Sequence, residues 1–204
     1  MPATLAPTMP LRKAIGETEL MWMMAMLMAL NAFGIDAILP ALDAPGADLS
    51  VEGNARQFVI GVFLLTAGMG ALVPGAVADR FGRRPILLGS ILVYIVLSLL
   101  SAIVPTYDML IAVRAAQGFF AAGIVALPPA IIRDRVGGDK MARMMSLIFV
   151  IFLMVPAVAP SIGEAILLVA EWRAIFGVMA IAGVAVGAWV YFRLPESLAP
   201  ENRQ

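Results

Sequence analysis

The chain has 204 residues, 62% of them hydrophobic and only 14% charged, where a soluble domain carries about 45–50% apolar and about 25% charged residues. That leaves too little polar surface to coat a water-soluble fold, so the sequence is that of an integral membrane protein. Cysteine and histidine are both absent, which excludes disulfides, thiol chemistry and Cys-ligated metals and leaves carboxylates as the groups able to handle protons near neutral pH. The formal net charge is zero, so the positions of the charges carry the information.

Residues 1–18 are polar and Pro-containing, with Arg12 and Lys13, and read as a cytoplasmic tail. The apolar run that follows, Leu20 to Leu42, is too long for the core of a secretory signal and contains Asp36. About 20 apolar residues cross the roughly 30 Å bilayer core as a helix. Six such runs occur, at about 20–40, 58–78, 85–104, 109–132, 144–169 and 174–192. The alternating ten-residue segments of a barrel do not. The expected fold is all-α, with a six-helix transmembrane bundle over 19–193 and the start of a cytoplasmic linker over 194–204.

Arg12, Lys13, Arg80, Arg83, Arg84, Arg133, Arg135, Lys140, Arg143, Arg193 and Arg203 fall on one side of this bundle, and only Arg56 and Arg173 on the other. The bias predicts that both termini and the turn from Gly75 to Pro85 are cytoplasmic, in a cell inner membrane.

Charged side chains inside a span cost roughly 2.5–3.5 kcal/mol each and usually serve function. Asp36 in the first span, Arg114 in the fourth and Glu164 in the fifth qualify. By residue count Asp36 and Arg114 lie at nearly the same depth, so an Asp36–Arg114 pair is allowed. A structural ion pair or snorkelling to the interface is the competing reading. Glu164 reads equally as a wetted interfacial acid or a cavity acid. Asp36 shares a helical stripe with Ala25, Ala29 and Ala32, and Arg114 one with Gln117, Gly118, Ala121, Ala122 and Val125. Such small and polar stripes are expected to face protein or a cavity. Met21, Met23, Met24, Met26 and Met28 read as lipid-facing filler. Pro156 and Pro160 are expected to kink the fifth span, and Pro128-Pro129 the fourth. Nothing in the sequence forms a nucleophile–base set, a metal cluster or a phosphate loop, so no enzyme, cofactor, metal or nucleic-acid partner is expected.

The turn Gly75-Ala-Val-Ala-Asp79-Arg80-Phe-Gly82-Arg83-Arg84-Pro85 resembles the loop 2–3 signature of the major facilitator superfamily. Arg114-Ala-Ala-Gln117-Gly118-Phe-Phe-Ala121-Ala122 is similar to the fourth-helix signature of its proton-driven members. Asp36-Ala-Ile-Leu-Pro40, Glu171-Trp172-Arg173-Ala-Ile-Phe176 and Pro195-Glu196-Ser197-Leu198 resemble the Bcr/CflA branch of drug:proton antiporters. Ala159-Pro160-Ser-Ile-Gly163 resembles the fifth-helix antiporter motif, departing from it in Ala159 and Glu164.

The resemblance implies the amino-terminal half of a twelve-helix transporter, built from two inverted three-helix repeats. It implies that Asp36 is a proton- and cation-responsive acid, with Arg114 as its charge partner and Gln117 as a polar neighbour. It also implies that Gly75 and Gly82 permit close approach or a tight turn, and that Asp79 contacts a helix of the second half to close a cytoplasmic gate. The implied partners are the lipid bilayer, protons, a drug-like small molecule, and a second six-helix half or a homodimer mate. Half of a sugar or metabolite facilitator, and a truncated non-transporting membrane protein, stay open as alternatives.

Overall fold

A computed structural model describes residues 15–42, 44, 48–49 and 53–198. Most of the tail, and the linker beyond Leu198, lie outside these residues. Among them are seven α-helices and no strand. They are α1 (Glu17–Asp36), α2 (Phe58–Gly70), α3 (Val73–Phe81), α4 (Arg83–Ile103), α5 (Tyr107–Arg135), α6 (Gly138–Leu167) and α7 (Arg173–Arg193). Five are long and apolar enough to cross a membrane, and α2 with α3 supplies a sixth span when the two are taken as one span bent by 47°. The six apolar runs therefore become six spans.

The break lies at Ala71–Leu72, ahead of Pro74, which occupies one of the first two positions of α3. A proline there has no N–H to return to the carbonyl four residues back, and its ring crowds that carbonyl. Above the break Gly70 is pinned on α5, where an added Cβ would lie 2.3 Å from the Phe119 carbonyl oxygen. By contrast α5 runs on through Pro128-Pro129, and α6 through Pro156 and Pro160, each as one helix. The one break in a span among the described residues thus falls in the second, while α5 and α6 carry their prolines within continuous helices. In lipid a carbonyl freed by proline finds no competing water, so a long helix keeps its remaining bonds.

The packing repeats itself. α1 packs on α6 and α7, as α5 packs on α2 and α4, and α4 packs along α7. Exchanging the first three spans for the last three preserves these pairings, which is the pattern of two three-helix repeats. Close approach is made at glycines. A Cβ on Gly118 would sit 2.2 Å from the Phe63 carbonyl oxygen, and one on Gly163 would sit 2.1 Å from that of Ala37. α1 is enclosed by α5, α6 and α7, and this corrects the reading of its methionines. Met23, Met24 and Met28 are core residues, so these flexible thioethers fill gaps between helices instead of facing lipid.

The bundle is tied at both ends. At the arginine-rich end, Arg193 holds Glu19 through two bonds of 2.6 Å, and Trp189 donates to the same carboxylate at 3.3 Å. At the opposite end, Arg173 pairs with Asp48, and Trp172 Nε1 donates to it at 3.3 Å. The Arg173 and Trp172 bonds hold the Asp48 carboxyl below its ordinary value.

Gly82 links α3 to α4 with φ 101° and ψ 150°, a region essentially reserved for glycine. Gly75 instead lies inside α3 with nothing within 4 Å of where a Cβ would be, so it makes neither a turn nor a close contact among the described residues. Gly82→Ala should therefore cost about 1–3 kcal/mol in thermal unfolding in detergent. Gly75→Ala should leave stability unchanged or raise it by about 0.5–1 kcal/mol, because it relieves a helical glycine. Equal losses in the two variants would contradict this division.

Candidate functional site

The membrane core is organised by Arg114, whose side chain is fully buried. Thr106 caps the start of α5 by accepting from the Met109 amide at 3.4 Å, and Arg114 follows two turns later. Its Nη1 donates to Gln117 Oε1 at 2.7 Å, its Nη2 to the Gly34 carbonyl at 3.0 Å, and its Nε to the Val59 carbonyl at 3.3 Å. The guanidinium also lies 4.4 Å from the Phe63 ring centroid and 5.7 Å from that of Phe176. Gln117 extends the network by donating to Ser98 Oγ at 2.7 Å, and Ser98 in turn donates to the Tyr94 carbonyl. Tyr94 Oη closes onto the Leu30 carbonyl at 3.2 Å. One side chain and its neighbours thereby join α1, α2, α4, α5 and α7.

The expected Asp36–Arg114 pair is not formed. No ion pair or hydrogen bond to Asp36 occurs among the described residues. The physical reason lies at the end of α1. Gly34 is in its last turn, where carbonyls lack intrahelical partners and the helix dipole places about half a negative charge. Arg114 bonds to that end of the helix, and the two aromatic faces supply further favourable electrostatics. Asp36 is left half-buried.

Glu164 is exposed and likewise has no ion-pair partner among the described residues. It follows Gly163, whose backbone touches Ala37, the residue after Asp36. The first and fifth spans run in the same direction. Asp36 and Glu164 thus lie at similar depth, each next to the point where α1 and α6 touch, and neither has a counter-ion among the described residues. The stripe through Arg114, Gln117, Gly118, Ala121 and Ala122 is buried, as are Ala25 and Ala32.

A second cluster forms around the charged turn. Arg83 is buried and bridges two acids: Nε meets Asp134 Oδ2 at 2.5 Å, and Nη2 meets Asp79 Oδ1 at 3.0 Å. Glu196 accepts from the backbone amides of Arg83 at 2.9 Å and Arg84 at 3.2 Å. It caps α4, placing a carboxylate at a helix N-terminus where the dipole favours it. Arg135 Nη2 holds the Pro195 and Glu196 carbonyls, and Ser197 Oγ donates to Asp134 Oδ2 at 3.1 Å. The segment Leu194–Leu198 is therefore packed against the bundle, with Leu194 in the core. Arg80 and Arg84 lie over the rings of Phe81 and Tyr191. Sequence reasoning gave no role to Asp134 or Glu196. Asp134 could have been found as the lone acid between Arg133 and Arg135, whereas nothing in spacing alone aims Glu196 at α4.

A helical bundle built from two interleaved repeats, with a buried polar centre and an ion-paired turn between its second and third spans, has the fold of one half of a secondary transporter. The family model of the Major Facilitator Superfamily matches residues 21–204, and the chain belongs to that superfamily as a multi-pass membrane protein. It is 34% identical over 180 residues to the bicyclomycin resistance protein homolog of Haemophilus influenzae, covering 88% of this chain and 45% of that protein. It is 36% identical over 186 residues to the uncharacterized MFS-type transporter YdgK of Bacillus subtilis, covering 90% and 46%. With the multidrug resistance protein MdtL of Escherichia coli it shares 32% identity over 171 residues, covering 84% and 44%. The chain thus spans about half the length of the curated relatives it matches. In three dimensions it superposes on the proton:xylose symporter XylE with a TM-score of 0.72 at 16% identity, over 87% of this chain and 44% of that one. It superposes on the human organic anion transporter MFSD10 with a TM-score of 0.71 at 17% identity, over 93% and 50%. At such identities these two structures speak for the fold alone.

Proposed function

We propose that the chain works as the amino-terminal half of a proton-coupled exporter of drug-like organic molecules in the cell inner membrane, with both termini cytoplasmic. The observation that carries the reading is the unpaired state of Asp36. A carboxylate held in a membrane span without a counter-ion takes up a proton or a cationic group readily, and Glu164 at similar depth adds a second acceptor. The relatives named for bicyclomycin resistance and multidrug resistance support drug-like substrates. The arginine bias supports the orientation.

In this mechanism Arg114, itself held by Gln117, grips the end of α1 that carries Asp36, and substrate release accompanies proton binding there. Asp79 and Gly75, half-exposed on α3, face a helix of a second six-span half, either separately supplied or a second copy of this chain. Contact there closes the cytoplasmic side, and Arg80, Gly82, Arg83 and Arg84 shape and anchor that gate. Pro156 and Pro160, inside α6, bend that span, and Gly163 seats it on α1.

The test is efflux of ethidium from cells lacking other drug exporters. The chain is expressed alone and together with the second half of the H. influenzae relative. The expected result is efflux that a protonophore abolishes, in at least one of the two arms. Absence of efflux in both arms, with the chain folded in the membrane, would count against export. Efflux indifferent to the protonophore would remove proton coupling.

A further inference from the structure

A groove of about 480 Å³ runs along the outer faces of α4 and α7, between Leu88, Leu92 and Ile95 on one side and Val184, Ala188 and Tyr191 on the other. Its floor is formed where glycines of α7 let the two helices come close. An added Cβ on Gly187 would lie 2.9 Å from Ile91 Cγ2, and one on Gly183 would lie 2.8 Å from Ile95 Cγ1. The groove occupies the half of both spans nearest the arginine-rich end, and its rim is exposed and apolar at Leu92, Val184 and Phe192. On a membrane span such a rim meets acyl chains.

At the mouth of the groove, one turn beyond Leu88, stands Arg84. Its guanidinium lies 5.6 Å from the Tyr191 ring centroid, and Nη2 donates to the Tyr191 carbonyl at 2.7 Å. Its buried Nε has no acceptor. The acids nearby are already engaged. Asp79 and Asp134 hold Arg83, Glu19 holds Arg193, and Glu196 caps the amides of α4. Arg84 is therefore a cation at headgroup level with no carboxylate partner among the described residues, placed at the end of an acyl-sized apolar channel. Basic sites between helix ends at the cytoplasmic surface suit anionic headgroups.

We propose that the α4–α7 groove is a binding site for one anionic phospholipid of the leaflet at the arginine-rich end, with an acyl chain in the groove and the phosphate on Arg84. The occupant follows from charge complementarity: a zwitterionic lipid fills the same groove without a net negative charge to offer the guanidinium.

The purified full chain is incubated in detergent with equal amounts of phosphatidylglycerol and phosphatidylcholine, and bound lipid is counted by native mass spectrometry. The intact chain should retain phosphatidylglycerol about fivefold over phosphatidylcholine. Arg84→Gln should bring the two to parity, and Arg84→Lys should keep part of the preference. Ala188→Trp fills the groove from an exposed position without touching Arg84, and should lower phosphatidylglycerol retention as well. Arg133→Gln, an exposed charge elsewhere on the same end, should change nothing. Equal retention of the two lipids by the intact chain would overturn the proposal. So would a phosphatidylglycerol preference that survives Ala188→Trp, which also decides the matter if Arg84→Gln does not fold.

Discussion

Replacing Arg114 by alanine should destabilise the bundle by about 3–5 kcal/mol, enough to stop the chain accumulating as a monodisperse membrane protein. Three contributions add. A long, fully buried side chain is removed from a close-packed centre, leaving a cavity against Phe63 and Phe176. The Gly34 carbonyl at the end of α1 loses its donor, and Gln117 Oε1 loses its partner. The negative end of the α1 dipole loses its countercharge. Arg114→Lys should recover part of the loss, because an ammonium keeps the charge but not the fork that reaches Gly34, Gln117 and Val59 together. Membrane yield and the melting temperature in detergent measure both variants. A normally stable Arg114→Ala chain would show that the guanidinium network is incidental to the fold.

Asp36→Asn should do the reverse, leaving the fold intact and reducing proton-driven export by a factor of about ten to a hundred. The substitution is isosteric, and Asp36 makes no hydrogen bond or ion pair among the described residues whose loss would destabilise the bundle. What it removes is the group proposed to take up a proton. Efflux measured with the second half present, against an imposed pH gradient, separates the outcomes. Full coupled export by Asp36→Asn would exclude this residue as the coupling acid. Glu164→Gln, at a more exposed position, should have a smaller effect, and a larger one would transfer the principal role to Glu164. Opposite responses of the Arg114 and Asp36 variants would also explain why the two do not pair: one serves the fold and the other stays available.

Much of the architecture was legible in the residues themselves. Apolar runs of about 20 residues between short charged breaks can only become helices in lipid, where every backbone group must be satisfied within its own segment. The stripe from Arg114 to Ala122 was readable as a packed face, because small residues at helical spacing allow close approach. The methionines of α1 were misread because composition does not reveal that a helix is enclosed on three sides. What the prolines alone did not reveal is where a span is interrupted: the break falls in the second span, where Gly70 is pinned on α5 ahead of Pro74.

By itself the sequence determined the membrane environment, the six spans, the turn that marks the superfamily, and the identity of the charged groups that a bilayer would tolerate only for a purpose. These are consequences of local chemistry and of the cost of placing polar groups in hydrocarbon. Only the tertiary structure decided the partners. Arg114 bonds to the end of α1 and not to Asp36, Arg83 is shared by Asp79 and Asp134, and Glu196 caps a helix that begins over a hundred residues earlier. Depth along a helix follows from counting residues. Which group a side chain meets depends on the rotation and crossing of helices far apart in the chain, and that emerges only when the bundle packs.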